Sequence, residues 1–135
     1  MKKKLASLRK KYRQLVKQLG APAAFQDFHE TAQHDGSPHV EYEGDEFLYV
    51  VTERGTRYDE RRTTDEDEIL YWLIADVTWA MAMGYEVKNR VDGQDFRRLL
   101  FAKDIELMDG INPEWGQRKQ NKYEKILRKH PYNDG

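Results

Sequence analysis

The longest run of patterned hydrophobic positions lies between Thr63 and Arg90. Ile69, Leu70, Leu73, Val77, Ala80, Met81 and Gly84 recur at steps of three and four, which puts them on one stripe of a helix. Tyr71, Trp72 and Trp79 widen the stripe, so this helix is expected to be covered on more than one side. Its polar face is thin, with Asp76 and Thr78 interrupting it. Thr63 and Glu66 have the spacing of a capping box. Asp65, Glu66, Asp67 and Glu68 fall where a helix dipole is positive and favours carboxylates. Asp92-Gly93 reads as a turn. The pattern predicts a central helix over residues 64–90.

The flanking segments read as parts built onto that helix. Over residues 2–19, Leu5, Leu8, Tyr12, Leu15 and Leu19 form a narrow helical seam that Gly20 caps and Pro22 stops. Residues 21–38 show no period and are expected to be irregular, anchored by Phe25 and Phe28. From His39 the period changes to two. His39–Glu43, Phe47–Thr52 and Thr56–Arg61, separated by turns at Gly44-Asp45 and Gly55, predict about three antiparallel strands within residues 39–62. One apolar face of that sheet would lie under the central helix. Asp95 is expected to cap a helix over residues 95–109, with Phe96, Leu99, Leu100, Lys103 and Leu107 in line, Phe101, Ile105 and Met108 beside them, and Gly110 at its end. Pro113 opens a last helix over residues 113–130, whose buried stripe is Trp115, Tyr123, Ile126 and Leu127. The expected class is α+β: a small antiparallel sheet packed against a mainly helical domain of about four helices. At 135 residues, one domain spanning the chain is expected.

Composition narrows the chemistry. Charged residues make up 35% of the chain, yet the net charge is −1, so overall charge points to no nucleic-acid partner. Cysteine is absent, which excludes disulfides, thiolate metal sites and a cysteine nucleophile. No apolar run nears the roughly 20 residues that a membrane span needs, and the basic start Met1–Lys4 lacks the apolar stretch of a secretory signal. His29, Glu30, His34 and His39 match no zinc spacing. Ser7 and Ser37 lie in no nucleophile-elbow context, and no phosphate-binding glycine loop occurs. No catalytic residue, metal or cofactor is expected. Charge is segregated, however. Between Glu41 and Glu68 lie eleven acidic residues and four arginines, whereas residues 2–19 carry eight basic residues and no acidic one. Such a layout can steer a basic partner to one face.

Several short motifs, in order, carry a family resemblance. Val51-Thr52-Glu53-Arg54-Gly55 ends a strand in Glu-Arg-Gly, and Asp67-Glu68-Ile69-Leu70-Tyr71-Trp72-Leu73 is an acidic helix start with Tyr-Trp. Arg90 is followed by Asp95-Phe96-Arg97-Arg98-Leu99-Leu100-Phe101, an Asp-x-Arg-Arg-x-x-Phe segment. Trp115 and His130-Pro131-Tyr132-Asn133-Asp134 complete the series. Over residues 40–134 the chain resembles the immunity protein 63 family, which accompanies bacterial polymorphic toxins, including contact-dependent inhibition systems. Where that family often has Gln after the Arg-Arg-x-x-Phe, this chain has Asp104.

The resemblance implies a cytoplasmic, non-catalytic antidote, monomeric until it binds the C-terminal domain of one cognate toxin. It implies a scaffold role for Glu53, Arg54, Gly55, Tyr71, Trp72, Arg90, Asp95, Arg97, Arg98, Phe101, Trp115, Pro131 and Asp134, with the arginines as partners of carboxylates. With the acidic hairpin, it points to a nuclease toxin whose basic face meets Glu41, Glu43, Asp45, Glu46, Asp59, Glu60, Asp65 and Glu66. Tyr42, Tyr49 and Tyr58 would be anchors there. The alternative is a nucleic-acid-binding regulator that uses the basic N- and C-terminal helices.

Overall fold

The computed structural model describes residues 2–135, with side chains from Lys4 onward; Met1 and the side chains of Lys2 and Lys3, part of the expected basic start, lie outside the described residues. The elements are α1 (Lys2–Leu19), a short 3-10 turn (Ala23–Gln26), β1 (Asp35–Glu43), β2 (Glu46–Glu53), β3 (Thr56–Thr63), α2 (Glu66–Lys88), α3 (Arg97–Ile111) and α4 (Pro113–Lys129). The class is α+β, with one three-stranded antiparallel sheet in the order β1-β2-β3. The chain forms two compact units, one running to Ile74 and the other from Ala75 to Gly135; the boundary falls inside α2.

In the first unit, α1 buries Leu8, Tyr12 and Val16, a row at four-residue steps. The expected seam is thus shifted by one position: Leu5, Leu15 and Leu19 are only half-buried. Tyr12 also ties down the segment after α1. Its hydroxyl donates to the Phe25 carbonyl (2.7 Å) and its ring meets that of Phe28 at 5.7 Å. Gly20 closes α1 with a positive φ of 69° while the Ala21 N–H donates to the Val16 carbonyl, a helix end that glycine allows without strain.

The sheet departs from expectation in two ways. β1 begins at Asp35, inside the stretch expected to be irregular, because Pro38 and the residues after it pair with β2 beyond a register shift. And Phe47, Leu48, Tyr49 and Val50 are buried in succession, so the middle strand is covered on both faces rather than one. On one face Tyr49 meets Trp72 of α2 at 6.3 Å, with the Arg61 guanidinium over both rings. On the other, His39, Leu48, Val50 and Thr52 are buried. The ladder slips between Val51 and Thr52, which leaves Tyr58 as the extra residue of a bulge in β3.

Asp65, not Thr63, caps α2. Its carboxylate accepts from the Asp67 N–H (2.9 Å) and its carbonyl from those of Glu68 and Ile69, while the Thr63 hydroxyl accepts from Asp65 itself (3.0 Å). The capping-box reading gives way because Thr63 is the last residue of β3, paired with Phe47. Along α2 the buried row includes Ile74, Thr78 and Ala82, and Gly84 is exposed with no close neighbour. Thr78 enters the core because its hydroxyl donates to the Ala75 carbonyl (3.2 Å).

The second unit is built on Ala82, Leu100, Phe101 and Tyr123, with Trp79, Ile105, Ile126, Leu127 and Tyr132 around them. Phe101 and Tyr123 stack at 4.0 Å, nearly parallel. Phe96, expected in this core, is 53% exposed, and α3 runs through Gly110 to Ile111. A single residue, Asn112, then turns the chain: its side-chain oxygen accepts from the N–H groups of Glu114 and Trp115, capping α4 with Pro113 at its first position. The two helices close so tightly that a Cβ on Gly116 would lie 2.7 Å from the Asp109 Cβ.

Candidate functional site

Pairing of Phe47 with Thr63 brings the β1–β2 turn and the start of α2 to one end of the sheet. Glu43, Asp45, Glu46, Asp65, Glu66 and Asp67 therefore gather there. They are not equivalent. Glu46 lies 3.8 Å from Arg62, Glu66 is paired with Lys11, and the Asp65 carboxylate is used as the helix cap. Glu43 and Asp45 are exposed and, among the described residues, carry no ion pair. Asp67 is also exposed.

The other acidic residues of the sheet belong to a ladder of charges. Arg57 reaches across β2 to Glu41 (3.0 Å) and pairs with Glu60 (2.5 Å), and Arg62 lies 3.6 Å from Glu60. His39, buried, shares a 2.6 Å hydrogen bond with Glu41. Burial pushes the Glu41 carboxyl up, but the bond from His39 and the Arg57 charge outweigh it, and its pKa is lowered. Asp59 pairs with Arg61 (2.9 Å) on the face that holds Tyr49 and Trp72. The candidate anchors separate too. Tyr49 is a core residue at 3% exposure, a correction that follows from its place in the doubly covered strand. Tyr42 is half-buried, its ring 5.0 Å from that of Phe47. Tyr58 projects from the bulge, roughly 15–20 Å along β2 from the acidic end.

The motif residues have specific partners. Arg54 and Gly55, with φ of 52° and 81°, form the two-residue turn between β2 and β3, a conformation that favours glycine at the second position. His34 braces it: its carbonyl accepts from the Arg54 N–H and its Nδ1 from the Gly55 N–H (3.1 Å). Tyr71 is buried and Trp72 half-buried in α2. Arg90 holds the buried Glu86 through two hydrogen bonds, the shorter 2.7 Å, and lowers its pKa.

Asp95, Arg97, Arg98 and Asp134 form a clasp on the C-terminal tail. Arg97 binds the Asp95 carboxylate and donates to the carbonyls of His130 (2.8 Å) and Pro131 (2.9 Å). Asp95 also accepts from the N–H groups of Arg97 and Asn133, so it caps α3 and seats the tail at once. Arg98 pairs with Asp134 (2.9 Å) and lies over the Tyr132 ring at 4.1 Å. The Arg97 guanidinium and the two N–H donors hold the Asp95 carboxyl far below the usual range, and Arg98 does the same, less strongly, for Asp134.

Sequence reasoning missed a buried charged group. Asp104 and Lys119 are 2.7 Å apart, at 0% and 2% exposure, and the Tyr123 hydroxyl donates to the same carboxylate oxygen. The Lys119 ammonium also reaches the Ala75 carbonyl at 3.4 Å. The other Asp104 oxygen has no partner. Lys119 sits four residues after Trp115 and four before Tyr123, so the helical period did mark it as inward-facing. The metal-like histidines do not converge: His34 braces the turn, His39 faces Glu41, and Glu30 pairs with Arg9 (3.1 Å). Among the described residues, no three His, Asp or Glu side chains are grouped to hold a metal, and no helix is long and apolar enough to cross a membrane.

Fold and surface together are those of a small α+β protein whose arginine–carboxylate pairs fasten turns and tail, and whose free charge stands at one end of a sheet. The family model described as Immunity protein 63 matches residues 43–125, and the chain belongs to that family. The match starts at the acidic turn and ends within α4, so the tail motif Pro131–Asp134 lies beyond it. Searches of curated proteins and of solved structures give no match. Membership supports an immunity function in general.

Proposed function

We propose that this protein binds the C-terminal domain of one cognate bacterial toxin and neutralises it by occluding its active site, without catalysis of its own. The observation that carries the reading is membership of an immunity-protein family. The docking end is that of Glu43, Asp45 and Asp67, whose carboxylates are exposed and not spent on internal pairs, and not the ladder of Glu41, Glu46, Asp59 and Glu60, whose arginines would first have to be displaced. The toxin is a nuclease or another nucleic-acid enzyme with a basic active-site face, delivered by a polymorphic or contact-dependent system and met in the cytoplasm by a monomer. Attraction between such faces raises association rates 10- to about 1,000-fold at low salt.

The test is co-expression with the toxin domain encoded beside this gene. Growth rescue and a complex that survives purification are expected. Toxicity without rescue, with no complex formed, would remove the immunity reading and favour the nucleic-acid alternative. That alternative requires binding to DNA or RNA that collapses with added salt.

A further inference from the structure

Six large hydrophobic side chains are conspicuously exposed among the described residues, and five of them fall between positions 83 and 96: Met83, Tyr85, Val87, Val91 and Phe96. Met83 and Val87 lie one turn apart on a single face of α2. Val91 and Phe96 continue past the helix end. Together the five expose roughly 400–500 Å², given that a large side chain presents some 150–250 Å². That is the apolar share expected of one side of a standard interface, about 800 Å² of which 56–58% is non-polar.

Beside Phe96 an open recess of about 660 Å³ is lined by Arg90, Gln94, Asp95, Phe96, Arg97 and Asn133. The charges around it are already satisfied: Arg90 by Glu86, Arg97 by Asp95, and the neighbouring Arg98 by Asp134. A charged side chain entering there would have to break a close Arg–carboxylate pair. An uncharged aromatic ring would not. It would lie on Phe96 and on the exposed plane of the Arg90 guanidinium, with Gln94 and Asn133 free to bond a phenol or indole. A second copy of this chain fits less well, because a two-fold contact through Val87 and Val91 would set Lys88 and Arg90 against the same residues of the other copy.

We infer that this patch is the hydrophobic anchor for the toxin domain, which inserts a tyrosine or tryptophan beside Phe96. The inference rests on the immunity reading and adds the kind of surface the toxin must present. The experiment measures affinity for the purified toxin domain by calorimetry, using the wild type, Val87→Ser, Phe96→Ser and, as a control on α4, Lys125→Gln. Circular dichroism checks that each variant is folded, and sedimentation gives its oligomeric state. Val87→Ser and Phe96→Ser should each weaken binding at least about tenfold, and Lys125→Gln should not. Binding by both patch variants within twofold of a wild type that itself binds would overturn the anchor and leave the immunity reading standing. A wild-type dimer that Phe96→Ser dissociates would assign the patch to a second copy and equally overturn it. A wild type that does not bind the toxin at all would take the immunity reading and this inference down together.

Discussion

Asp104 and Lys119 form a pair with almost no access to water, and Tyr123 binds the same oxygen. Removing one partner leaves an uncompensated charge, which costs about 3–5 kcal/mol. Asp104→Ala and Lys119→Met should each lower the unfolding free energy by that much in a urea titration. The double change Asp104→Leu with Lys119→Met should cost far less, because no buried charge is left. A loss under about 1 kcal/mol for Lys119→Met alone would show that the ammonium finds water in solution. Gly116→Ala is the second test at this scale. Its methyl group would meet backbone as well as side chain of Asp109, at 2.8 and 2.7 Å, so the helices must part. A loss of about 1–3 kcal/mol is expected from the same titration. The periodicity marked position 119 as inward-facing, but nothing in one sequence pairs it with position 104. Such a contact is made by α3 and α4 side by side, and a charge on an apolar line reads as a gap until its partner is known.

Among the elements, the tail clasp is the one whose strength depends on pH. Asp95 and Asp134 both have carboxyls lowered in the folded protein, Asp95 the more, through arginine and backbone N–H donors. A lowered folded pKa means that the contribution is complete above the unfolded value of about 3.9 and is lost as pH falls through the folded one. The tail should stay seated at pH 5 and loosen only well below pH 4. The amide resonances of Asp95 and Asn133, which donate to these carboxylates, report it during an NMR titration. Midpoints at or above 3.9 would contradict the clasp. Elements with a strong period were legible from the sequence: the extents of α1 and α4 and the positions of β2 and β3. Those set by partners were not. Asp35–Pro38 carries a glycine and a proline, both poor strand formers, and pairs only because β2 lies beside it. Gly110 reads as a helix stop, yet the cap that ends α3 comes from Asn112, whose N–H donates to the Met108 carbonyl.

For the whole molecule, charge governs the encounter with a partner. Glu43→Lys with Asp45→Lys should slow toxin association about tenfold at low ionic strength and much less at 0.5 M salt, measured by stopped flow. Unchanged rates at both would move the docking end elsewhere. The family and the acidic segment were legible in the sequence, but the division of that segment into spent and free carboxylates was not. Which acid meets which arginine depends on strand register, and the bulge at Tyr58 shifts that register by one. The tryptophans offer a last consequence. Trp72 lies in the first unit beside Tyr49 and Arg61, while Trp79 and Trp115 lie in the second, although Trp72 and Trp79 are only about two turns apart on one helix. Each therefore reports by its own emission on a different unit. A protein keeping only Trp72 and another keeping only Trp115 give two melting curves. Coincident curves mean that the halves unfold as one, and separated curves give the order in which they come apart.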